Sequence, residues 1–248
     1  MTREKGACLV CGKQIAYFEK SEEMECMICH EKFSSHASCE DGHYICDDCH
    51  ARKGIEIIIE ECGKSVSRNP IELMQKIMDN PYIYMHGPEH HVMAGAVLLT
   101  AYYNSGGAID LVQALNEMKS RGNEYPGGSC GFWGCCGAAV STGMCMSIIT
   151  KATPLTGESW RLSNQMTSRA LAAIAELGGP RCCKRNSFTA VREAVRFMNQ
   201  TLSAKMELPD NIYCGFSREN EQCLQVHCPY FQVQKAIELS IKQRVYDK

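Results

Sequence analysis

The residues of this chain best suited to chemistry are its cysteines and a handful of histidines. Four two-residue-spaced pairs run in order near the start: Cys8 and Cys11, Cys26 and Cys29, His36 and Cys39, Cys46 and Cys49. Such spacing lets both thiolates of a knuckle turn toward one ion, so eight ligands suffice for two tetrahedral zinc ions. The pairing can be interleaved, with Cys8/Cys11 joining His36/Cys39 and Cys26/Cys29 joining Cys46/Cys49, or it can join neighbours. His30, His43 and His50 are each able to substitute as a ligand. A segment of about fifty residues has little core, so metal would supply its folding energy. Its role is either to dock a protein partner or to give structural support.

A second concentration lies in the middle. From Pro126 to Gly137, glycines 127, 128, 131, 134 and 137 surround Cys130, Cys135 and Cys136, a loop whose backbone can approach something bulky. Downstream, Cys182 and Cys183 stand beside Arg181, Lys184 and Arg185. Three chemistries fit: an iron–sulfur cluster on cysteine thiolates, a low-pKa redox or sulfur-carrying thiol pair, or small-residue packing. His86, Glu89, His90 and His91 enter a helix together and offer a general base, a metal site or a plain cap. Cys214, Cys223 and Cys228, with His227, form a third ligand set whose spacings match no usual zinc pair. They either hold a structural metal, join the central site or pack.

These groups need elements to position them. The chain has 248 residues, 45% of them hydrophobic, a net charge of −2 and 17 cysteines, an odd number that full internal pairing cannot use up. Near-neutral charge gives no general attraction to nucleic acid or anionic membrane. A polar start and no apolar run of about 18 residues set aside secretory and membrane classes and predict a cytoplasmic, reduced protein. Composition shifts near residue 52, predicting a zinc-finger domain over 1–52 and a mainly α domain over 53–248. Helical periodicity is expected near 70–78, 91–104, 110–121, 138–151, 159–177, 187–206 and 230–246. The β-branched run Ile55 to Ile59, preceded by Gly54, predicts a strand.

The first fifty residues, four cysteines, a histidine, then three cysteines, resemble treble-clef and PHD-like fingers. In the larger part, Gly87-Pro88-Glu89-His90-His91, the glycine-flanked cysteines from Cys130 to Gly143, and Cys182-Cys183-Lys184-Arg185-Asn186 resemble the iron–sulfur L-serine dehydratase and L-cysteine desulfidase family. That resemblance implies a [4Fe–4S] cluster whose open iron polarises a leaving hydroxyl or thiol. Cys182 would be one ligand, with others among Cys130, Cys135, Cys136 and Cys183; His90 or His91 would move the proton and Lys184 or Arg185 bind a carboxylate. The whole chain also looks like an uncharacterised cysteine-rich family of anaerobes. The expected activity is elimination or sulfur transfer on a small thiol or hydroxy acid. The rivals are a non-enzymatic zinc and iron–sulfur adaptor and a cysteine-based redox or persulfide carrier. A homo-oligomer is compatible with either; a nucleic-acid partner is not expected.

Overall fold

The computed structural model describes residues 8–232 and is mainly helical, with one two-stranded sheet among those residues. The strands, β1 (Ile15–Glu25) and β2 (Lys32–Cys39), pair antiparallel, with an irregularity between Tyr17 and Glu22. Both are largely polar, which hid them from hydrophobic patterning. The next element corrects an expectation. Ile55 to Ile59 lies inside helix α1 (Asp47–Lys64), not in a strand. Ile55, Ile58 and Cys62 are buried at spacings of three and four residues, so helical amphipathicity prevails over β-branched preference. Asp47 and Asp48 in its first turn and Lys64 in its last suit the helix dipole. The same helix runs unbroken through residue 52, so finger and helical part share one element.

Helix α2 (Pro70–Met78) opens as its sequence predicts, with the Asn69 side chain accepting from the amides of Ile71 and Glu72 at 3.1 and 3.3 Å. Helix α3 (Glu89–Asn104) is the axis of the fold. Val92 through Leu99 are all buried, so it is apolar all round and takes neighbours on every side. Those neighbours are α1, α2, α4 (Leu111–Asn123), α6 (Gly137–Thr150) and α8 (Cys183–Thr201). Between α4 and α6 sits the single-turn α5 (Ser129–Phe132), and α7 (Glu158–Leu177) covers α6 from the other side.

The α3–α6 contact depends on small residues. A Cβ at Gly95 would sit 2.9 Å from the Ser141 carbonyl oxygen and collide with the Met118 side chain. The Gly95 amide instead donates to Ser141 Oγ at 2.8 Å. This close approach fixes the start of α6, and with it the cysteine loop that precedes it. Helix α8 begins a turn before the expected residue 187, because the Cys182 thiol accepts from the Arg185 amide at 3.4 Å as a cap. Lys184 and Arg185 are therefore helical and buried, not loop residues. The expected helix over 230–246 lies almost wholly outside the described residues. Among those described, no helix is long and apolar enough to cross a membrane.

Candidate metal centres and a thiol-lined cavity

In the finger, two groups of four ligands come together: Cys8, Cys11, Cys39 and His43, and Cys26, Cys29, Cys46 and Cys49, each with its ligand atoms within 4.8 Å of one another. The pairing is the interleaved one. A tetrahedral ion with thiolates at about 2.3 Å has edges of about 3.8 Å. Cys11 and Cys39 sulfurs stand 3.8 Å apart, and those of Cys29 and Cys46 stand 3.9 Å apart. Backbone amides support the sulfurs: Val10 donates to Cys8 at 3.4 Å, Ile28 to Cys26 at 3.5 Å and His43 to Cys39 at 3.3 Å. Burial raises the Cys26 pKa, but the amides of Cys29, Cys46 and Ile28 outweigh it and bring it down to about 6. Both tetrads can hold a metal ion such as zinc.

One expected ligand is replaced. His43 completes the first tetrad, and its buried Nδ1 has no hydrogen-bond partner within the protein, as a ligand atom awaiting metal would. His36 instead donates from Nδ1 to the Phe18 carbonyl at 3.1 Å and stacks on Phe132 at 4.6 Å between ring centroids. It faces away from the tetrad because it sits in the middle of β2, three residues before Cys39. Sequence spacing favoured the two-residue pair, whereas the turn after β2, with Gly42 at φ +77°, folds His43 back to Cys39. His36 thus joins the finger to the glycine-rich loop. So do Tyr17, with Phe132 at 6.4 Å and Arg181 over its ring at 5.2 Å, and Asp47, which accepts from the Gly127 amide at 2.5 Å.

The central cysteines do not form one group. Cys130 and Cys136 line an open cavity of ≈470 Å³, together with Tyr17, Arg181, Arg185 and Asn186. The Asn186 side-chain amide donates to the Cys136 sulfur at 3.4 Å. Burial raises the Cys136 thiol above its ordinary value, and Cys130 adds to the effect. Cys183 lies behind; burial pushes it up to about 12, with Cys136 contributing in the same direction. Cys135 departs from the expected set and points toward Tyr125, whose hydroxyl donates to the Cys135 carbonyl at 2.8 Å. Cys182 turns the other way, into a second cavity that it shares with Cys214, Cys223 and Cys228. Of the adjacent Cys182 and Cys183, Cys182 alone lines either of these cavities, and Arg185 lines both.

The histidines expected to move protons are buried away from both cavities. His90 Nδ1 faces the Gly87 carbonyl at 3.2 Å and Glu89 at 3.4 Å, with Nε2 unpartnered. His91 donates to the Tyr125 carbonyl at 3.0 Å and packs edge-on against that ring. Burial lowers both pKa values. His86, the third histidine of that stretch, also lines neither cavity. Burial, then Arg181, His90 and Lys184, lower its pKa to about 3, and its Nδ1 has no partner. Lys184 is fully buried, donating to the Ile83 carbonyl at 3.0 Å and lying 4.7 Å from the Phe216 ring centroid. Arg185 is pinned by the Gly178 and Pro180 carbonyls at 2.7 and 3.0 Å, leaving Arg181 as the more accessible cation.

Fold and site together define a helical, cysteine-rich protein with a finger that can carry two metal ions. A family model described as a family of unknown function, DUF5714, matches residues 58–231, and the chain belongs to that family. The match contains every lining residue of the two thiol-lined cavities except Tyr17, and it begins after the last finger ligand. No curated protein and no solved structure matches the chain.

Proposed function

We propose that this chain is an iron–sulfur-dependent enzyme acting on a small thiol or hydroxy compound that carries a carboxylate. The observation that supports this most is the open cavity of ≈470 Å³ in which Cys130 and Cys136 face Arg181 and Asn186. Cys130, Cys136 and Cys183 would supply three thiolates to a [4Fe–4S] cluster, leaving one iron position for substrate. When bound, that cluster would supply Lewis-acid polarisation of a leaving hydroxyl or thiol. The chain supplies the rest. Arg181 offers a planar fork for the carboxylate. The Asn186 amide steadies the Cys136 sulfur.

The test is turnover by anaerobically purified protein, followed as ammonia, keto acid and sulfide released from small β-hydroxy and β-thiol amino acids. The expected result is product formation that Cys136→Ser abolishes and that Arg181→Ala weakens mainly through KM. Brown, folded protein that releases no product from either substrate class would overturn the reading. A second reading, a non-enzymatic adaptor, is favoured by the knuckle tips. Leu9, Val10, Met27 and Ile28 project between the tetrad cysteines and are 42–53% exposed, a surface suited to an apolar protein partner. A partner lost on changing these four to serine, with zinc content unchanged, supports it; turnover by the isolated chain shows that docking is not its sole role.

A further inference from the structure

We propose that Cys182, Cys214, Cys223 and Cys228 bind a second metal centre, an all-thiolate [4Fe–4S] cluster, enclosed behind α8. The four cysteines come from two distant stretches yet line one cavity, which Met85, Phe216 and Phe231 close with apolar surface. Convergence of four thiols from such separated positions is not what packing alone requires.

The sulfurs are also furnished as ligands are. The Phe216 amide donates to Cys214 at 3.4 Å and the Gln225 amide to Cys223 at 3.3 Å. Each is the amide two residues on, the relation that Val10 and Ile28 bear to Cys8 and Cys26 in the finger. Cys182 receives the Arg185 amide and the Asn220 side-chain amide, both at 3.4 Å. Cys228 is served by the amides of Tyr230 and Phe231. N–H groups aimed at sulfur stabilise thiolate and tune a cluster's potential. Lys184 and Arg185 bring two positive charges to the same cavity. Those charges offset the net negative charge of four thiolates around a metal centre.

Spacing separates a cluster from a single ion. The finger tetrads have all their ligand atoms within 4.8 Å, as one tetrahedral ion demands. Among the described residues the four thiols of this cavity form no such group. A centre built of four irons and four sulfides spreads its thiolates further apart than one ion does. With every iron thiolate-bound, this cluster stores or passes an electron and takes no substrate.

The experiment measures iron, labile sulfide and zinc per chain, with electron paramagnetic resonance after dithionite reduction, on anaerobically purified full-length protein. It compares wild type with Cys214→Ser, Cys223→Ser and Cys136→Ser. The quartet variants are expected to lose about four irons and one reduced-cluster signal while keeping their zinc. Loss in the quartet variants but none in Cys136→Ser leaves this centre standing and removes the cluster from the open cavity, so the two proposals fail separately. Three zinc ions in wild type, the third lost in Cys223→Ser, would overturn the cluster assignment. So would folded quartet variants that retain all their iron. If those variants do not fold, wild type still decides: zinc without iron overturns the proposal, and two distinct cluster signals uphold it.

Discussion

The finger and the cavity behind α8 each gather four ligands, but they reach that arrangement from opposite directions. From residue 8 to residue 50 the buried residues are Cys8, Cys26, Cys39 and Cys46, all of them tetrad members. The described finger residues bury nothing beyond these ligands, so a bound metal would serve as the finger's core. The cavity behind α8 is walled by a helical body whose centre, α3, is buried all round. There the scaffold exists first and the thiols are displayed on it. One site makes its fold; the other is made by its fold.

The largest effect expected from that contrast is on metal removal. Structural zinc in finger peptides binds with about 10–16 kcal/mol at neutral pH, and that energy is folding energy. A zinc chelator should therefore unfold residues 8–46 and leave the α3-centred body helical. Hydrogen exchange would show loss of protection in β1 and β2 with α3 amides still slow. Simultaneous loss of both would mean that finger and body form one cooperative unit, tied through α1. Cys26→Ser should drop bound zinc from two to one for the same reason.

Next in size is the ligand choice within the finger. His43→Ala should cost the first tetrad its ion, whereas His36→Ala should keep both ions and loosen the finger's hold on Phe132. Zinc stoichiometry reads the first effect. Proteolysis between β2 and the glycine-rich loop reads the second. Retention of two ions by His43→Ala together with loss by His36→Ala would break the geometric assignment.

The same contrast explains what the sequence discloses. Two-residue knuckles announce a metal-made site, because ligands close in space are also close in the chain: Cys26, Cys29, Cys46 and Cys49 are readable directly. Where a strand and a turn intervene, as between His36 and His43, spacing picks the wrong imidazole. The helical class is legible from apolar periodicity, and α2, α3, α4, α6 and α7 fall within a few residues of expectation. Ile55 to Ile59 misleads because β-branching is a local preference, while burial of Ile55, Ile58 and Cys62 is a tertiary demand. A scaffold-made site is the least legible. Nothing local links Cys182 to Cys214 or separates it from Cys183, because which thiols share a cavity is set by tertiary packing.

A smaller effect tests whether the body holds its cavities independently of the finger. Gly95→Ala should cost about 1–3 kcal/mol through overpacking against Ser141 and Met118. Urea unfolding should show the α-helical transition moved to lower denaturant, with zinc content still at two. Since α6 starts directly after Cys136, this variant should also perturb the open cavity more than the one behind α8. If both cavities hold iron as proposed, equal iron loss from both would show that they share a single rigid support.

The smallest effect concerns cysteines that belong to neither kind of site. Cys62 and Cys145 are fully buried, and burial pushes Cys62 up to about 12 and raises Cys145 further from its ordinary value of 9.0. Neither should react with iodoacetamide at pH 8 until the chain unfolds, in contrast to Cys130 at the open cavity. Linkage gives the sign. A thiol that holds its proton more tightly folded than unfolded contributes stability below its unfolded pKa, and that contribution is lost as pH rises toward its folded value. The body should therefore weaken between about pH 9 and pH 12. Cys62→Ala should flatten that alkaline limb while costing about 1 kcal/mol at neutral pH from the small volume lost. An unchanged limb would mean that the cavity thiols, Cys183 and Cys214 among them, carry the alkaline sensitivity. The boundary between packing cysteines and ligand cysteines would then have to be redrawn on the scaffold side of the comparison.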